Sequence, residues 1–309
     1  MNTPVVLALD IGGTKIAGGF ISCDANAAVM GVQSTPTDAA RGGHAVLQTI
    51  IDFAQTLLAD APGEVAAIGV ASAGVVDTQS GWITSATQTM PGWGGTPLGP
   101  AIQQATGCAT YVLGDVWAHA LGEYVVGAGS PYSSCLVIAI GTGIGGAMVE
   151  EGKIHKGAHN VGGHIGHIPH HLAQGRPCSC GRVGHIEPIA SGSGIEAEYC
   201  RLGGQAESAR YIDELANQGD PVAEAVISHA GRAMGEIIGG IANVYDPEAV
   251  ILSGSVTRSG DLWWHHLRQG FSAQAMDPLQ DIPLVLGSLG GNAPLLGAAF
   301  HTGYLAPPS

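Results

Sequence analysis

Positive charge is scarce in this sequence. Among 309 residues there are 11 Lys and Arg against 25 Asp and Glu, a formal net charge of −14 at pH 7, and no basic stripe occurs anywhere. Proteins that bind nucleic acids or anionic membrane surfaces neutralise phosphates with such residues. The sequence therefore predicts neither partner. Any phosphate group that it binds must be held mainly by backbone amides and a metal ion.

Long hydrophobic runs and the cysteine content of a disulfide framework are also lacking in this sequence. No apolar run reaches the ~18 residues of a membrane-spanning helix. The N-terminus has no basic region and no cleavage site before the apolar run Val5 to Leu9, so we interpret it as a strand and not as a signal peptide. Six cysteines are too few to form a stabilising disulfide framework in a chain of this length. These absences favour a cytoplasmic location.

Glycine, in contrast, is abundant, with 49 residues in a chain that is 45% hydrophobic. The glycines show no collagen period, and the mean hydropathy of +0.24 excludes disorder. A chain of this length can bury a large core and usually divides into two domains. The glycine excess must therefore serve tight turns, or backbone that lies close to a ligand.

Two segments, 5–21 and 135–149, repeat the order apolar strand, glycine turn, strand. Continuous apolar strands belong in the middle of a sheet that is covered on both faces. The repeat predicts two related α/β domains. Further expected elements are strands at 67–71, 109–113 and 250–252, helices at 46–57, 116–124 and 222–244, a loop at 81–98, a third tight turn at 253–255 and a closing helix after 293.

The turn of the second segment matches a dinucleotide-binding fingerprint through Gly141, Gly143 and Gly146, but a strand and not a helix follows it, and a Walker P-loop is absent. Hairpin tips without side chains can instead direct N–H donors at an anion. Thr14 and Thr142 would add hydroxyl donors, and Asp10 could hold Mg²⁺ through water. The alternative is that these glycines only make tight hairpins.

Four stretches together resemble the ROK family (repressor, open reading frame, kinase) of the actin, Hsp70 and hexokinase superfamily. They are DIGGTK at 10–15, GTGIGG at 141–146, GHIGH at 163–167 and CSCGRVGHIE at 178–187. The resemblance covers nearly the whole chain. It implies an α/β fold with two ribonuclease-H-like domains of the actin/hexokinase type, an ATP and hexose cleft between them, and a homodimer.

The resemblance also implies domain limits. We expect an N-terminal α/β domain at 1–118, closed by a C-terminal helix at 294–309, and a C-terminal α/β domain at 119–293 with a zinc loop at 164–187. The nucleotide would be bound by Asp10, Gly12, Gly13, Thr14, Lys15, Gly141, Thr142, Gly143, Gly254, Ser255, Gly290 and Gly291.

The zinc loop lies in a histidine-rich segment, since seven of the 13 histidines fall between His155 and His185. By resemblance, structural Zn²⁺ would be held by His167, Cys178, Cys180 and His185. The family usually has one His and three Cys there, so His185 is a departure, yet two thiolates and two imidazoles still suit tetrahedral zinc. The alternative is an accidental cluster in a histidine-rich loop.

Asp115 follows a strand and begins a helix, where a carboxylate is either a helix N-cap or a rigidly held reactive group. The resemblance implies that it is the general base for the sugar 6-hydroxyl. Such a group is the main chemical demand of phosphoryl transfer beyond positioning and charge neutralisation. Gly114 stands where the family usually has an Asn that touches the sugar.

His164 replaces the Glu of glucose-type members, and the HIGH tetrapeptide resembles the bacterial N-acetylmannosamine kinases of the family. A neutral His both donates and accepts hydrogen bonds, which suits an acetamido group. The alternative is a solvated loop histidine. Thr89, His167 and Glu187 are further expected sugar-side residues, with Glu187 at the anomeric end.

These patterns predict an ATP-dependent kinase that makes the 6-phosphate of N-acetylmannosamine. Glucokinase and N-acetylglucosamine kinase are alternatives within the class, and a sugar sensor without catalysis is a less favoured one. A sugar-responsive repressor would carry a helix-turn-helix domain before the first glycine turn, which here begins at Asp10. The acidic net charge also disfavours DNA binding.

Overall fold

The computed structural model describes residues 3–206 and 208–305. They form two compact units. The first unit contains residues up to 131, the segment 152–162 and the residues from 289, and the second unit contains 132–151 and 163–288. In chain order the elements are β1 Val5–Ile11, β2 Lys15–Ser22, β3 Val29–Pro36, α1 Gly43–Ala59, β4 Val65–Ser72, β5 Val75–Asp77, β6 Trp82–Ser85, α2 Leu98–Thr106, β7 Thr110–Gly114, α3 Asp115–Val126, β8 Ser134–Ile140, β9 Ile144–Glu150, β10 Lys153–Ile154, α4 Glu187–Ala190, α5 Gly192–Arg201, α6 Ala209–Asn217, α7 Pro221–Tyr245, β11 Ala249–Ser253, α8 Asp261–Gln274, β12 Leu284–Leu286 and α9 Ala293–His301.

The first unit is built on a sheet of strand order β3-β2-β1-β4-β7. β1 and β2 form an antiparallel hairpin, whereas β1, β4 and β7 are parallel neighbours. The apolar residues of β1 are buried on both faces of the sheet, as their continuous run predicts. α1 turns one apolar stripe, Val46, Ile50 and Leu57, into the core of this unit.

The second unit repeats this plan. Its strands follow the order β9-β8-β11-β12, with an antiparallel β8–β9 hairpin and parallel pairing of β8 with β11 and of β11 with β12. α7 is the longest helix, and it ends where Asp246 adopts a left-handed conformation before Pro247. The predicted duplication of an α/β architecture is confirmed.

α9 is the predicted closing helix of the first unit, and it is buried along nearly its whole length. Glycines let its backbone approach α3 and β4: a Cβ added at Gly297 would overlap the carbonyl of Ala118, and one at Gly69 would lie 2.2 Å from the carbonyl oxygen of Ala298. The helix predicted at 294–309 includes positions 306–309, which lie outside the described residues.

Two details differ from the sequence-based expectations. The segment 81–98 is not all loop, because Trp82–Ser85 forms β6 and pairs with β5, with Ile83 fully buried. The expected domain limit after residue 118 falls inside α3, which belongs entirely to the first unit. Within the described residues, no helix has both the length and the apolar character needed to cross a membrane.

Candidate active site

The carboxyl ends of β1, β4 and β7 bring the predicted Mg²⁺-binding Asp10 and the predicted base Asp115 to one edge of the first sheet. Asp10 lies opposite Ala71 on β4, Ser72 lies opposite Gly114 on β7, and Asp115 follows Gly114 directly. Burial and, to a smaller extent, the negative charge of Asp115 raise the pKa of Asp10 to about 7, although Lys15 opposes the shift. The edge therefore holds two acidic groups in one electrostatic environment.

Asp115 is the first residue of α3, and Gly114 is its N-cap, without a side-chain capping bond. The Asp115 carboxylate accepts the N–H of its own neighbour Val116 at 2.8 Å. Asp115 is thus the first residue of the helix and not its N-cap, although its carboxylate satisfies one N–H of the first turn. Its partly exposed carboxylate sits on the rigid first turn of a helix, where it can meet a substrate.

The first glycine turn is closed by internal hydrogen bonds. The N–H of Gly12 donates to the carbonyl of Lys15 at 3.0 Å, and the Thr37 hydroxyl donates to the carbonyl of Gly12 at 2.7 Å. Gly12 is thus not one of the expected outward donors. Within the described chain, the N–H groups of Gly13 and Thr14 have no acceptor and stay available to an anion.

Thr89 lies beside this turn. A Cβ added at Gly13 would come within 3.7 Å of the carbonyl oxygen of Thr89. The hydroxyls of Thr89 and Thr87 share a hydrogen bond of 2.7 Å. Its role as a sugar contact stays a prediction.

In the second unit the tip of the β8–β9 hairpin is held by the start of α5. The N–H of Gly141 donates to the carbonyl of Gly143, the N–H of Gly192 donates to the carbonyl of Gly141 at 2.7 Å, and the Ser193 hydroxyl donates to the carbonyl of Thr142 at 2.6 Å. The sequence analysis missed Gly192 and Ser193. The available signal was the run of small residues at 191–194, where Ser191 caps α5.

The glycines of the predicted nucleotide site differ in what the fold demands of them. A Cβ at Gly143 would lie 2.8 Å from the Glu187 carboxylate, and one at Gly254 would lie 2.3 Å from the carbonyl oxygen of Ile140. Gly141 and Gly291 have no positive φ, and a Cβ there would meet nothing within 4 Å. The fold itself does not require glycine at these two positions, whereas a closely bound ligand would.

The remaining predicted nucleotide residues lie in both units. Gly254 and Ser255 follow β11, which pairs with β8, so they lie beside the 141–143 turn. The parallel pairing of β11 means that this third turn is not a hairpin; a short 3-10 helix follows it. Gly290 and Gly291 begin another short 3-10 helix, in the first unit.

Glu123 is a fully buried carboxylate that the sequence analysis missed. It accepts the N–H of Leu289 at 2.9 Å, directly before Gly290, and the N–H of Ala128 at 3.1 Å. Because Glu123 and Asp115 share α3, this helix holds both the candidate base and one of the predicted nucleotide turns. An acidic residue on the apolar side of α3 was the signal that could have revealed it.

The four predicted zinc ligands come together in the second unit, with all their ligand atoms within 4.8 Å of one another. Cys178 Sγ lies 3.4 Å from His167 Nδ1, and Cys180 Sγ lies 3.3 Å from His185 Nδ1. Tetrahedral zinc with ordinary bond lengths places sulfur and nitrogen ligands about 3.6 Å apart. Burial lowers the pKa of His167, which keeps the ring neutral, as a ligand must be. The donor set fits structural Zn²⁺.

A second cluster, His170, His171 and Glu236, is less suited to a metal. The Nδ1 atom of His170 accepts the N–H of Leu172, so the proton of the neutral ring lies on Nε2, which donates to Glu236 at 3.0 Å. Neither ring nitrogen of His170 then offers a free lone pair.

His164 is exposed at the start of the predicted zinc loop, with its ring centroid 6.0 Å from that of His167. Glu187 opens α4, and both of its oxygens are engaged: Oε1 accepts the Ser179 hydroxyl at 2.6 Å, and Oε2 accepts the N–H of Ile144 at 3.0 Å. Glu187 is thus hydrogen-bonded both to the predicted zinc loop and to the glycine hairpin.

Comparison with known proteins identifies the family and the fold type of the chain. The ROK family model matches residues 6–302. A glucokinase from Halalkalibacterium halodurans is 28% identical over 95% of this chain and 93% of its own, and an N-acetylmannosamine kinase from Shigella flexneri is 32% identical over 81% of this chain and 83% of its own. The crystal structure of a ROK hexokinase from Thermus thermophilus superposes with a TM-score of 0.83 at 30% identity, covering 96% of this chain and 97% of that one. The α/β fold is that of the actin/hexokinase type, and the chain belongs to the ROK family.

Proposed function

We propose that this protein is an ATP-dependent sugar kinase that phosphorylates the 6-hydroxyl of an amino-hexose, N-acetyl-D-mannosamine. The observation that carries the proposal is the pairing of Asp10 and Asp115 at one sheet edge, beside a glycine turn with free N–H donors. The relatives at 28–32% identity are named as kinases of glucose and of N-acetylmannosamine, which supports the reaction class.

Asp115 acts as the general base. Its carboxylate takes the proton from the sugar 6-hydroxyl as the oxygen attacks the γ-phosphorus of ATP, and the bond from that phosphorus to the bridging oxygen of ADP breaks. The position of Asp115 on the first turn of α3 holds the carboxylate rigidly, which satisfies the positioning that this reaction needs.

The triphosphate is held by the backbone of the glycine turns and by a metal. The N–H groups of Gly13 and Thr14 and the open backbone at Gly141 supply donors and room. Bound Mg²⁺ would neutralise phosphate charge. Asp10 is the group that would hold it, since a carboxylate pair with a raised pKa gains from a nearby cation.

The cluster of His167, Cys178, Cys180 and His185 would hold structural zinc. This ion would take no part in the chemistry. It would stiffen the loop that carries Glu187 and follows His164, and so keep the sugar-recognition residues in place.

His164 supports an N-acetylated sugar. His164 is exposed, and an imidazole offers a donor as well as an acceptor when it is neutral, which matches an acetamido group, whereas a carboxylate only accepts. Gly114 stands where the family usually has an Asn that touches the sugar, so this site has one sugar-binding amide fewer. The alternative substrates are glucose, which the relatives at 28% identity are named for, and N-acetylglucosamine.

The test is ADP release, coupled to a spectrophotometric readout, with N-acetylmannosamine, N-acetylglucosamine, glucose, mannose, fructose and allose at equal concentration. The proposal expects N-acetylmannosamine to give the highest kcat/KM. A preference for glucose of tenfold or more would overturn the interpretation of His164. ATP turnover that does not depend on any sugar would overturn the kinase assignment itself.

A further inference from the structure

Trp117 lies two residues after the candidate base in α3, and its side chain is only 4% exposed. Its indole packs against Gly114, because a Cβ added there would lie 3.7 Å from ring atoms Cδ2 and Cε3. The ring therefore covers one side of the residue that directly precedes Asp115. This arrangement fixes the indole relative to the first turn of α3.

The indole N–H of Trp117 donates to the carbonyl of Gly162 at 2.8 Å, across 45 residues of sequence. Gly162 is fixed in turn, since its N–H donates to the carbonyl of Lys156 at 2.9 Å. A Cβ at Gly162 would lie 2.3 Å from the carbonyl oxygen of His155. Only glycine fits there, so residues 155–162 form a closed loop that presents one carbonyl to Trp117.

The same loop has a second anchor in the first unit. The Lys156 ammonium donates to the Thr78 hydroxyl at 3.0 Å, and burial lowers the pKa of Lys156. A long cationic side chain loses hydration when it is partly buried, so this contact is not an incidental surface pair. The loop is therefore anchored near both of its ends: Lys156 is hydrogen-bonded to Thr78, and Gly162 is hydrogen-bonded to Trp117.

The chain that leaves this loop leads straight into the candidate sugar-recognition residue. Gly163 follows Gly162, has a φ of +84°, and accepts the N–H of Gly146 at 2.8 Å. His164 comes next. With a hydrogen bond to Gly162 before it and one to Gly163 beside it, the backbone that carries His164 has little freedom left.

We propose that Trp117 is a positioning residue for sugar selection: its indole N–H ties the base-bearing helix α3 to the backbone that leads into His164. The inference rests on the proposed function. Without the N–H, the 155–162 loop keeps its internal hydrogen bond but loses its link to α3, so the backbone before His164 can shift. Sugar binding weakens, while the proton chemistry of Asp115 and the binding of ATP are untouched.

The test is Trp117→Phe in the full-length enzyme, since phenylalanine keeps an aromatic ring beside Gly114 while it removes the donor together with part of the indole. We expect the sugar KM to rise about tenfold, the effect of leaving one partly buried carbonyl without its donor. The KM for ATP should stay within twofold of the wild-type value. The kcat measured at each pH should also stay within twofold of wild type. The matched control is Trp264→Phe, which deletes an indole hydrogen bond of 3.0 Å to the carbonyl of Thr257 and should leave the sugar KM unchanged.

A second variant covers the case in which Trp117→Phe unfolds. Thr78→Val removes the other anchor with a side chain of nearly the same shape, and we expect it to raise the sugar KM about threefold at unchanged ATP KM. A folded Trp117→Phe enzyme with an unchanged sugar KM would overturn the inference, and so would an equal rise in both KM values. If the wild type shows no sugar-dependent ADP release, the proposed function fails instead.

Discussion

The carboxylate of Glu187 is shared between the backbone N–H of Ile144, 3.0 Å from Oε2, and the hydroxyl of Ser179, 2.6 Å from Oε1. Ile144 directly follows the turn at 141–143, and Ser179 lies between Cys178 and Cys180. One side chain therefore spans the candidate phosphate-binding hairpin and the candidate zinc loop. A shift in the position of either segment can therefore be transmitted to the other through this carboxylate.

Glu187→Ala should accordingly weaken binding of both substrates. It removes the acceptor of the Ile144 N–H, which is partly buried, and it frees the zinc loop from the hairpin. We expect the KM for ATP and the KM for sugar each to rise about tenfold, the cost of one unsatisfied buried donor. Steady-state kinetics with each substrate varied in turn would measure this.

Glu196→Ala is the matched control, because the Glu196 carboxylate also accepts a backbone N–H, that of Ala209, in the same unit. Its loss should leave the KM for ATP within twofold of wild type. A Glu187→Ala enzyme in which only the sugar KM changes would show that the hydrogen bond to Ile144 does not support nucleotide binding.

Metal content tests the cluster of His167, Cys178, Cys180 and His185. The purified protein should carry about one zinc per chain by plasma mass spectrometry, since two thiolates and two imidazoles complete a tetrahedral site. Cys178→Ser should lose the metal and raise the sugar KM. Cys200→Ser, which alters an exposed cysteine outside the cluster, should keep both the metal and the kinetics.

His185→Cys adds a sharper comparison. It restores the one-His, three-Cys set that the resemblance leads one to expect, and it should retain zinc because Cys is an equally good ligand. A metal-free wild-type protein with full activity would contradict the zinc assignment.

Much of the fold followed from local patterns. The continuous apolar runs of β1 and β8, and the glycine turns after them, predicted the two hairpins and the duplication. The spacing of Val46, Ile50 and Leu57 predicted α1. Such features are local, because strand and helix periodicities act over a few residues. β6 was missed because only one of its residues, Ile83, is fully buried.

The contacts that shape the candidate site were less accessible. The proximity of Asp10 to Asp115 depends on β4 lying between β1 and β7, and periodicity does not determine strand order. The bonds from Glu123 to Leu289 and from Trp117 to Gly162 join residues 166 and 45 positions apart. Side-chain bonds to distant backbone leave no local signature in a sequence, so these roles become visible only in the folded chain.

The role of Asp115 can be tested by Asp115→Asn, which keeps the size of the side chain and removes its basicity. We expect kcat to fall by roughly 10²- to 10⁴-fold, the usual contribution of a general base. The thermal midpoint should change little, because asparagine keeps a side-chain oxygen that can accept the Val116 N–H. A kcat within tenfold of wild type, in a variant with normal circular dichroism, would remove Asp115 from the base role.

Stability should depend on pH through His301, at the end of α9. Burial lowers the pKa of this imidazole to about 4, with the nearby Lys156 charge adding to the effect, while a hydrogen bond to the Val112 backbone opposes it. The folded pKa lies below the value of about 6.5 in the unfolded chain. Below pH 6.5 the unfolded state therefore binds the extra proton, and stability is lost as the pH falls from 6.5 towards 4.

His301→Gln isolates this contribution, because glutamine can keep a donor near Val112 but does not titrate. Urea unfolding of both proteins at several pH values between 7 and 4 would measure it. As the pH falls across this range, the free energy of unfolding of the wild type should decrease by about 2 kcal/mol more than that of the variant. Other histidines titrate equally in both proteins and cancel in the difference. Parallel curves for the two proteins would show that His301 is protonated as easily in the folded chain as in the unfolded one.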